Sequence, residues 1–209
     1  MSVIDKLACR LGRRDEVPNI ELANELALRE DKAGVDELVK SLWGREKDVQ
    51  SDSIKTLYSV GSLKPELIAG YADDFIKLLR SRNNRMVWGA MMALATIADI
   101  KSEEIFKNLD IIYSALSSGS VITVDNGVKV LAKAASAKRE YSEKIFPYLL
   151  NHLKKCRPKE IPQHAESMLS AVNPENKSEF LAVLSVREDS MSETQQKRVK
   201  KICKLVEKL

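Results

Sequence analysis

Apolar side chains recur along this chain at a fixed step of 37 residues. Five columns keep the step over four copies, and stretches richer in polar and charged residues separate them. The columns are Leu38, Phe75, Ile112 and Leu149; Leu42, Leu79, Leu116 and Leu153; Ile54, Met91, Val128 and Ala165; Leu57, Leu94, Leu131 and Met168; and Val60, Ile97, Ala134 and Ala171. A fixed period between roughly 20 and 50 residues is the signature of stacked structural repeats. The pattern therefore predicts a repeat architecture.

Each copy contains two amphipathic helical patterns. In one copy, the first helix places Phe75, Ile76 and Leu79 on one side, and the second runs from Arg85 to Ala98 as RMVWGAMMALATIA, almost without charge. Such i, i+3, i+4 and i+7 spacings are those of a helix with one buried face. Small residues such as Ala90 on the second helix allow the two helices of a pair to approach closely. We expect an all-α fold, a right-handed α-solenoid of about five stacked antiparallel helix pairs.

The unbroken register predicts a single repeat domain over residues 1–209. We expect an N-terminal capping pair in 1–33, repeats in 34–70, 71–107, 108–144 and 145–175, and a C-terminal capping pair in 176–209. Ser2–Leu11 is predicted to be the first helix of the N-terminal pair. Trp43, at the end of a later helix, is predicted to pack against its neighbours.

The helix pair resembles the HEAT repeat, an armadillo-like family. The first helix of that family often carries a proline before a leucine run, as the segment 145–150 (IFPYLL) does here. Its second helix is similar to the run of Val49, Ser53, Leu57 and Val60. The resemblance covers residues 34–172. The arginine that the family often places after the valine is replaced here by Gln50, Val87, Val124 and Ile161. The resemblance specifies the architecture and leaves the function open.

Composition narrows the class of protein. Hydrophobic residues make up 44% of the 209, which is ample for a core, and the net charge of +4 is too small to imply nucleic acid by itself. The three cysteines, Cys9, Cys156 and Cys203, are widely spaced and odd in number, which favours a reducing cytoplasm over a disulfide framework. No run of about 18 apolar residues is present, so we expect no membrane span. The sequence carries no signal for an oligomeric state.

The second helices line the concave side in stacks of the HEAT type, and the face turned from the core holds the candidate binding residues. These are Tyr58, Trp88, Met92, Lys55 and Lys129. Tryptophan and tyrosine are enriched as interface anchors, so a protein or peptide partner is the leading prediction. The alternative is that Trp88 folds over a neighbouring helix as part of the core.

A second candidate surface is a basic edge formed by turns within the repeats. It comprises Arg80, Arg82, Arg85, Lys154, Lys155, Arg157 and Lys159. An acidic partner or a phosphate backbone fits such an edge. The simpler explanation is that these are ordinary solvated turns, where charge is the default. Nucleic-acid binding is therefore the alternative function. In architecture it would resemble the HEAT-like DNA glycosylases, with Trp88 and Asp125 as the nearest candidates for the base pocket.

Catalytic and metal chemistry have little support in the sequence. There is no Gly-rich phosphate loop, no GxSxG and no HExxH. His152 and Cys156 are four residues apart on one helix and His164 follows on its partner, but zinc sites usually take four ligands or three and a water. We predict no catalytic residues, no metal and no cofactor. The function predicted first is a non-catalytic protein–protein interaction scaffold.

Overall fold

The computed structural model describes residues 2–209, and all regular structure in that range is helical. The α-helices are α1 (Val17–Arg29), α2 (Lys32–Ser41), α3 (Lys47–Leu63), α4 (Glu66–Ala69), α5 (Ala72–Leu78), α6 (Asn84–Ile97), α7 (Ser102–Lys107), α8 (Leu109–Ser118), α9 (Val121–Ala137), α10 (Arg139–Lys155), α11 (Ile161–Met168), α12 (Lys177–Val186) and α13 (Glu193–Val206). Short 3-10 turns lie at Ile4–Lys6, Pro158–Glu160, Leu169–Ala171 and Glu188–Ser190. Within residues 2–209, no helix has both the length and the apolar character that crossing a bilayer requires.

The chain divides into two compact units, one up to Gly127 and the other over residues 128–209. In the first unit, α3 packs against α1, α2 and α6, and α5 packs against α6. In the second unit, α11 packs against α10 and α13, and α12 packs against the same two helices.

The 37-residue columns form the core, as the sequence predicts. All twenty column residues are buried, and the most exposed of them, Leu79 and Leu116, retain only 6% of their surface. Burying one leucine or isoleucine side chain contributes roughly 1.5–3 kcal/mol. The period thus predicted which side chains hold each pair together.

Small residues permit the close approach of paired and neighbouring helices. A Cβ added to Gly89 on α6 would lie 2.6 Å from Cγ1 of Ile54 on α3, and one added to Gly127 on α9 would lie 2.3 Å from Leu116 on α8. The hydroxyl of Ser41 on α2 bonds that of Ser53 on α3 at 2.7 Å. These contacts leave no room for larger side chains at the crossings.

Two repeats contain three helices where the sequence pattern predicts two. The first helix of one repeat is divided into α4 and α5 by Gly70 and Tyr71. The backbone of Tyr71, at φ −106° and ψ 19°, lies outside the helical region. Asn108, at φ −120° and ψ 28°, divides α7 from α8, and its side-chain amide donates to the Glu104 carbonyl at 2.9 Å. Hydrophobic spacing survives these breaks, so the pattern alone does not reveal them.

The N-terminal segment corrects another expectation. Ser2–Leu11 is predicted as a helix, whereas it forms the 3-10 turn Ile4–Lys6 and irregular turns. A polar network holds it: the Asn19 side chain accepts from Ala8 N–H at 3.0 Å and donates to Asp52 at 2.8 Å, and Asp52 accepts from Cys9 N–H at 2.8 Å. The N–H groups of Ala8 and Cys9 thus donate to side chains, where in a helix they would donate to backbone carbonyls. Asn19 is buried, and this network provides the hydrogen bonds that its amide needs.

Candidate functional site

The candidate site lies in the first unit on the face shared by α1, α3 and α6. Lys55 and Tyr58 are one helical turn apart on α3, and Arg85 and Trp88 hold the same relation on α6. Since α3 packs against both α1 and α6, these side chains meet across the helices. We name the group formed by Lys55, Tyr58, Arg85, Trp88 and Glu16 the Trp88 cluster.

The two aromatic rings of the Trp88 cluster form a tilted pair. Their centroids are 6.3 Å apart and their planes meet at 46°, a geometry that aromatic pairs prefer to a face-to-face sandwich. Trp88 and Met92 are each half-buried. Tyr58 differs from the expectation of an exposed groove residue, because only 7% of its surface remains accessible. Tyr58 is therefore a buried residue against which the Trp88 ring packs.

Two cations cover the aromatic pair. The guanidinium carbon of Arg85 lies 4.1 Å from the centroid of the Trp88 ring, and Lys55 Nζ lies 5.0 Å from that of Tyr58. These distances are within the range of cation–π attraction. Arg85 was predicted as a charge of the basic edge, but the structure makes it part of the aromatic site.

Glu16 joins the two cations. Its carboxylate accepts from Lys55 at 2.9 Å and from Arg85 at 3.3 Å. The hydrogen bond from Lys55 is the main cause that lowers the pKa of Glu16 below its ordinary value, against the opposing effect of burial. Burial disfavours the charge on Lys55, but its hydrogen bonds with Glu16 and Tyr58 outweigh that effect and raise its pKa. The Glu16 side chain remains half exposed to solvent.

Sequence reasoning missed Glu16. It directly precedes α1, while its partners lie 39 and 69 positions further along the chain. Acidic residues are common beside helix starts, so the sequence around Glu16 gives no indication that it pairs with Lys55 and Arg85. The available clue was the predicted stacking of second helices, which places the start of α1 near that of α3 and α6.

The remaining candidate residues of the first unit are less organised. Arg80 is exposed and lies 4.0 Å from Asp110, and Arg82 is exposed without an ion pair in residues 2–209. Trp43, predicted to pack, is 52% exposed because it follows the last turn of α2.

The second unit carries the other predicted basic residues. Lys154, Lys155 and Lys159 are exposed, as is Lys129 on α9. Arg157 bonds Glu160, with its Nε 2.9 Å from the carboxylate, so its charge is compensated locally. These lysines stand in solvent and form no constellation with an aromatic residue comparable to that around Trp88 in the part of the chain that the structure describes.

The second unit also brings His152, Cys156 and His164 together. His152 Nε2 lies 3.1 Å from His164 Nδ1, and the nearest ligand atoms of all three residues lie within 4.8 Å of one another. His164 is fully buried and Cys156 is 9% exposed. Burial raises the pKa of the Cys156 thiol. The sequence predicts no metal site here, because it offers only these three ligand residues and no further cysteine or histidine near them.

Comparisons with known proteins identify the fold. No protein-family model matches the chain, and no curated protein matches it. Among solved structures, an engineered protein is 22% identical with a TM-score of 0.69, over 100% of this chain and 98% of the other. A designed armadillo repeat protein in complex with the peptide (KR)4 is 19% identical with a TM-score of 0.68, over 88% of this chain and 85% of the other. The chain therefore has the all-α, armadillo/HEAT-like solenoid fold that the sequence predicts.

Natural proteins share the fold as well. The structure of Kap121p bound to Pho4p is 16% identical with a TM-score of 0.64, over 96% of this chain and 22% of the other. This chain thus corresponds to about a fifth of Kap121p. At these identities the likeness concerns the fold.

Proposed function

We propose that this protein is a non-catalytic scaffold that binds a peptide segment of a partner protein at the Trp88 cluster. The observation that carries the proposal is the half-buried Trp88, supported from below by Tyr58 and covered on one side by Arg85. An aromatic ring fixed in this way loses little side-chain freedom on binding, which makes it a good anchor. Met92, one helical turn further along α6, extends the apolar contact.

The charges indicate the chemistry of the partner. Two cations, Lys55 and Arg85, share the single acid Glu16, and the exposed Arg82 adds a further positive charge nearby in the chain. Because the Glu16 carboxylate belongs to a half-exposed side chain, a partner carboxylate can compete for the same cations. We infer a segment with an apolar side chain for Trp88 and Met92 beside an acidic one for Lys55 and Arg85.

The comparisons support this class of function. The designed armadillo protein of similar fold holds a peptide, and Kap121p holds Pho4p. The nucleic-acid alternative gains nothing from these likenesses. Three free cysteines suit a reducing compartment such as the cytoplasm, where we place the protein.

The test is a selection of random peptides displayed on phage against the purified protein. Selected peptides are synthesised with a label, and their affinities are measured by fluorescence anisotropy at about 0.15 M salt. We expect enrichment of acidic residues next to apolar ones, and affinity for Trp88→Ala at least tenfold weaker than for the wild type. Trp43→Ala is the matched control, since it removes the other tryptophan, which is 52% exposed, and should leave affinity unchanged.

A second readout uses intrinsic fluorescence. The chain has two tryptophans, so Trp43→Phe leaves Trp88 as the sole indole fluorophore, and peptide binding should shift its emission. The proposal is wrong if the selected peptides bind Trp88→Ala as tightly as the wild type. It is also wrong if labelled duplex DNA binds at about 0.15 M salt and competes with every peptide, which would favour the nucleic-acid function.

A further inference from the structure

The last turn of α10 and the first turns of α11 bring together three side chains that can each bind a transition metal. His152 and Cys156 are four residues apart, and Cys156 N–H donates to the His152 carbonyl at 2.8 Å, so both side chains project from one face at the helix end. The 3-10 turn Pro158–Glu160 then reverses the chain, and α11 places His164 opposite them. Residues from two helices thus converge at one point in the second unit.

The distances suit a shared metal ion. With metal–nitrogen bonds near 2.0–2.1 Å and metal–sulfur bonds near 2.3 Å, a tetrahedral zinc site holds two nitrogens about 3.3 Å apart and nitrogen and sulfur about 3.6 Å apart. The two histidine nitrogens already lie 3.1 Å apart. Since no ligand atom is more than 4.8 Å from the others, the sulfur needs to move by about 1.2 Å at most.

A side-chain rotation of Cys156 achieves that movement. Its Sγ donates to the Leu153 carbonyl at 3.6 Å, which is a long and weak thiol hydrogen bond, and the sulfur is also hydrogen-bonded by the Arg187 side chain. Turning the sulfur towards the imidazoles exchanges these two contacts for a metal–thiolate bond.

The backbone that carries two of the ligands is held in place. Arg187 on the neighbouring chain segment donates to the carbonyls of Leu153, Lys154 and Cys156, at 2.9, 2.5 and 2.7 Å. These charge-assisted bonds fix the last turn of α10, where free carbonyls are otherwise left to solvent. A rigid support for ligand-bearing backbone is what a metal site requires.

We propose that His152, Cys156 and His164 bind one zinc ion, with water as the fourth ligand. Two imidazoles and a thiolate are ligands of the borderline-soft transition metals, whereas calcium and magnesium prefer oxygen. His152 is only half-buried, which leaves the ion a path from solvent, while His164 and Cys156 form the closed inner side. The ion would tie α10 to the eight-residue α11 and stabilise the second unit.

Cobalt substitution tests the site directly. The full-length protein, without a histidine tag, is titrated with Co²⁺ and followed by absorption spectroscopy. Tetrahedral cobalt gives intense visible bands, and a thiolate ligand adds a near-ultraviolet charge-transfer band. We expect saturation at one equivalent, and loss of all bands on addition of Zn²⁺, because zinc takes the same position.

Variants then assign the ligands. Cys156→Ser should abolish the charge-transfer band, and His152→Gln should weaken Co²⁺ binding at least tenfold. Cys203→Ser is the matched control, since it removes another cysteine of the same unit and should leave the spectrum unchanged. His152 is half-buried and its variant is expected to fold, so it decides the question if Cys156→Ser does not.

Two results would overturn the proposal. One is a wild-type spectrum without tetrahedral bands, which identifies the His152–His164 contact as a simple hydrogen-bonded pair. The other is a spectrum that Cys156→Ser and His152→Gln share with the wild type, which places the metal elsewhere.

Discussion

Arg85 lies over Trp88, with 4.1 Å between the guanidinium carbon and the ring centroid, and at the same time donates to Glu16 at 3.3 Å. The arginine is thus fixed from two sides, by a ring and by a carboxylate. A cation–π contact of this kind contributes roughly 0.5–2 kcal/mol. It holds the indole on the face formed by α1, α3 and α6, in a position where its remaining surface meets solvent.

Removal of the Trp88 side chain should cost moderate stability. Trp88→Ala is expected to lower the free energy of unfolding by about 2 kcal/mol, roughly half of the loss at a fully buried tryptophan. Trp43→Ala should change it by less than about 0.5 kcal/mol, since Trp43 is largely exposed. Urea unfolding followed by circular dichroism measures both. Equal losses for the two variants would contradict the support that Tyr58 and Arg85 give to Trp88.

The pairing of Glu16 predicts a stability that depends on pH. The Lys55 hydrogen bond lowers the pKa of Glu16 in the folded protein, so on acidification the unfolded chain takes up the proton first. The stabilisation is complete above the ordinary glutamate pKa and is lost as the pH falls through the lower folded value. Because the side chain is half exposed, we expect Glu16→Gln to lose only about 0.2–1 kcal/mol at pH 7.

The comparison is made at two pH values. The difference in thermal unfolding between Glu16→Gln and the wild type should be smaller at pH 3 than at pH 7, because the folded-state pKa of Glu16 lies below its ordinary value. Glu21→Gln, which changes an exposed glutamate on α1, should match the wild type at both. A difference that persists unchanged in acid would show that Glu16 acts by some means other than its charge.

The close contact of α3 and α6 makes Gly89 sensitive to a single methyl group. Gly89→Ala places a carbon 2.6 Å from Cγ1 of the buried Ile54, and we expect a loss of about 1–3 kcal/mol although alanine favours helices. Gly70→Ala is the control. Gly70 has a φ of −63° and no atom within 4 Å of the added carbon, so a neutral or slightly stabilising effect is expected.

Chemical denaturation of both glycine variants measures these effects. The same samples allow peptide binding to be compared, since spreading α3 from α6 should also separate Tyr58 from Trp88. Equal stability of Gly89→Ala and wild type would mean that the two helices are not held at this distance in solution.

Arg187 should stabilise the end of α10. Arg187→Ala leaves three carbonyls without their charged donor, and we expect a loss of about 1.5–3 kcal/mol in the free energy of unfolding. Arg187→Lys should recover only part of it, because an ammonium group lacks the planar fork that reaches several acceptors. Lys155→Ala, an exposed cation in the same turn, is the control and should have little effect. Denaturant titration measures the free energy of unfolding of each variant. If Arg187→Lys is as stable as the wild type, the planar guanidinium group is not needed at this position.

The core could be predicted because it follows from local spacing. Each column residue, such as Leu57 or Leu94, owes its burial to its place in a helical period, and the period is visible in the sequence. The break at Asn108 was missed, since one residue outside the helical region leaves the spacing of apolar positions almost unchanged.

The candidate sites depend on contacts between distant segments. The residues Tyr58 and Trp88 were found from helical faces, but the burial of Tyr58 depends on how α3 and α6 pack. The approach of Glu16 to Arg85 and of His164 to His152 depends on the course of turns whose conformation no periodicity encodes.

The packing of α3 against both α1 and α6 has a consequence for the spacing of side chains in a peptide that crosses these helices. Helices in contact have axes about 8–10 Å apart, and an extended chain advances about 3.3 Å per residue. A peptide that crosses these helices therefore reaches a new one about every three residues. Such a surface is sensitive to the number of residues between two anchoring side chains of the peptide. Inserting one residue between them would move the second side chain from a helix to the groove between helices, even if the other residues of the peptide stay the same.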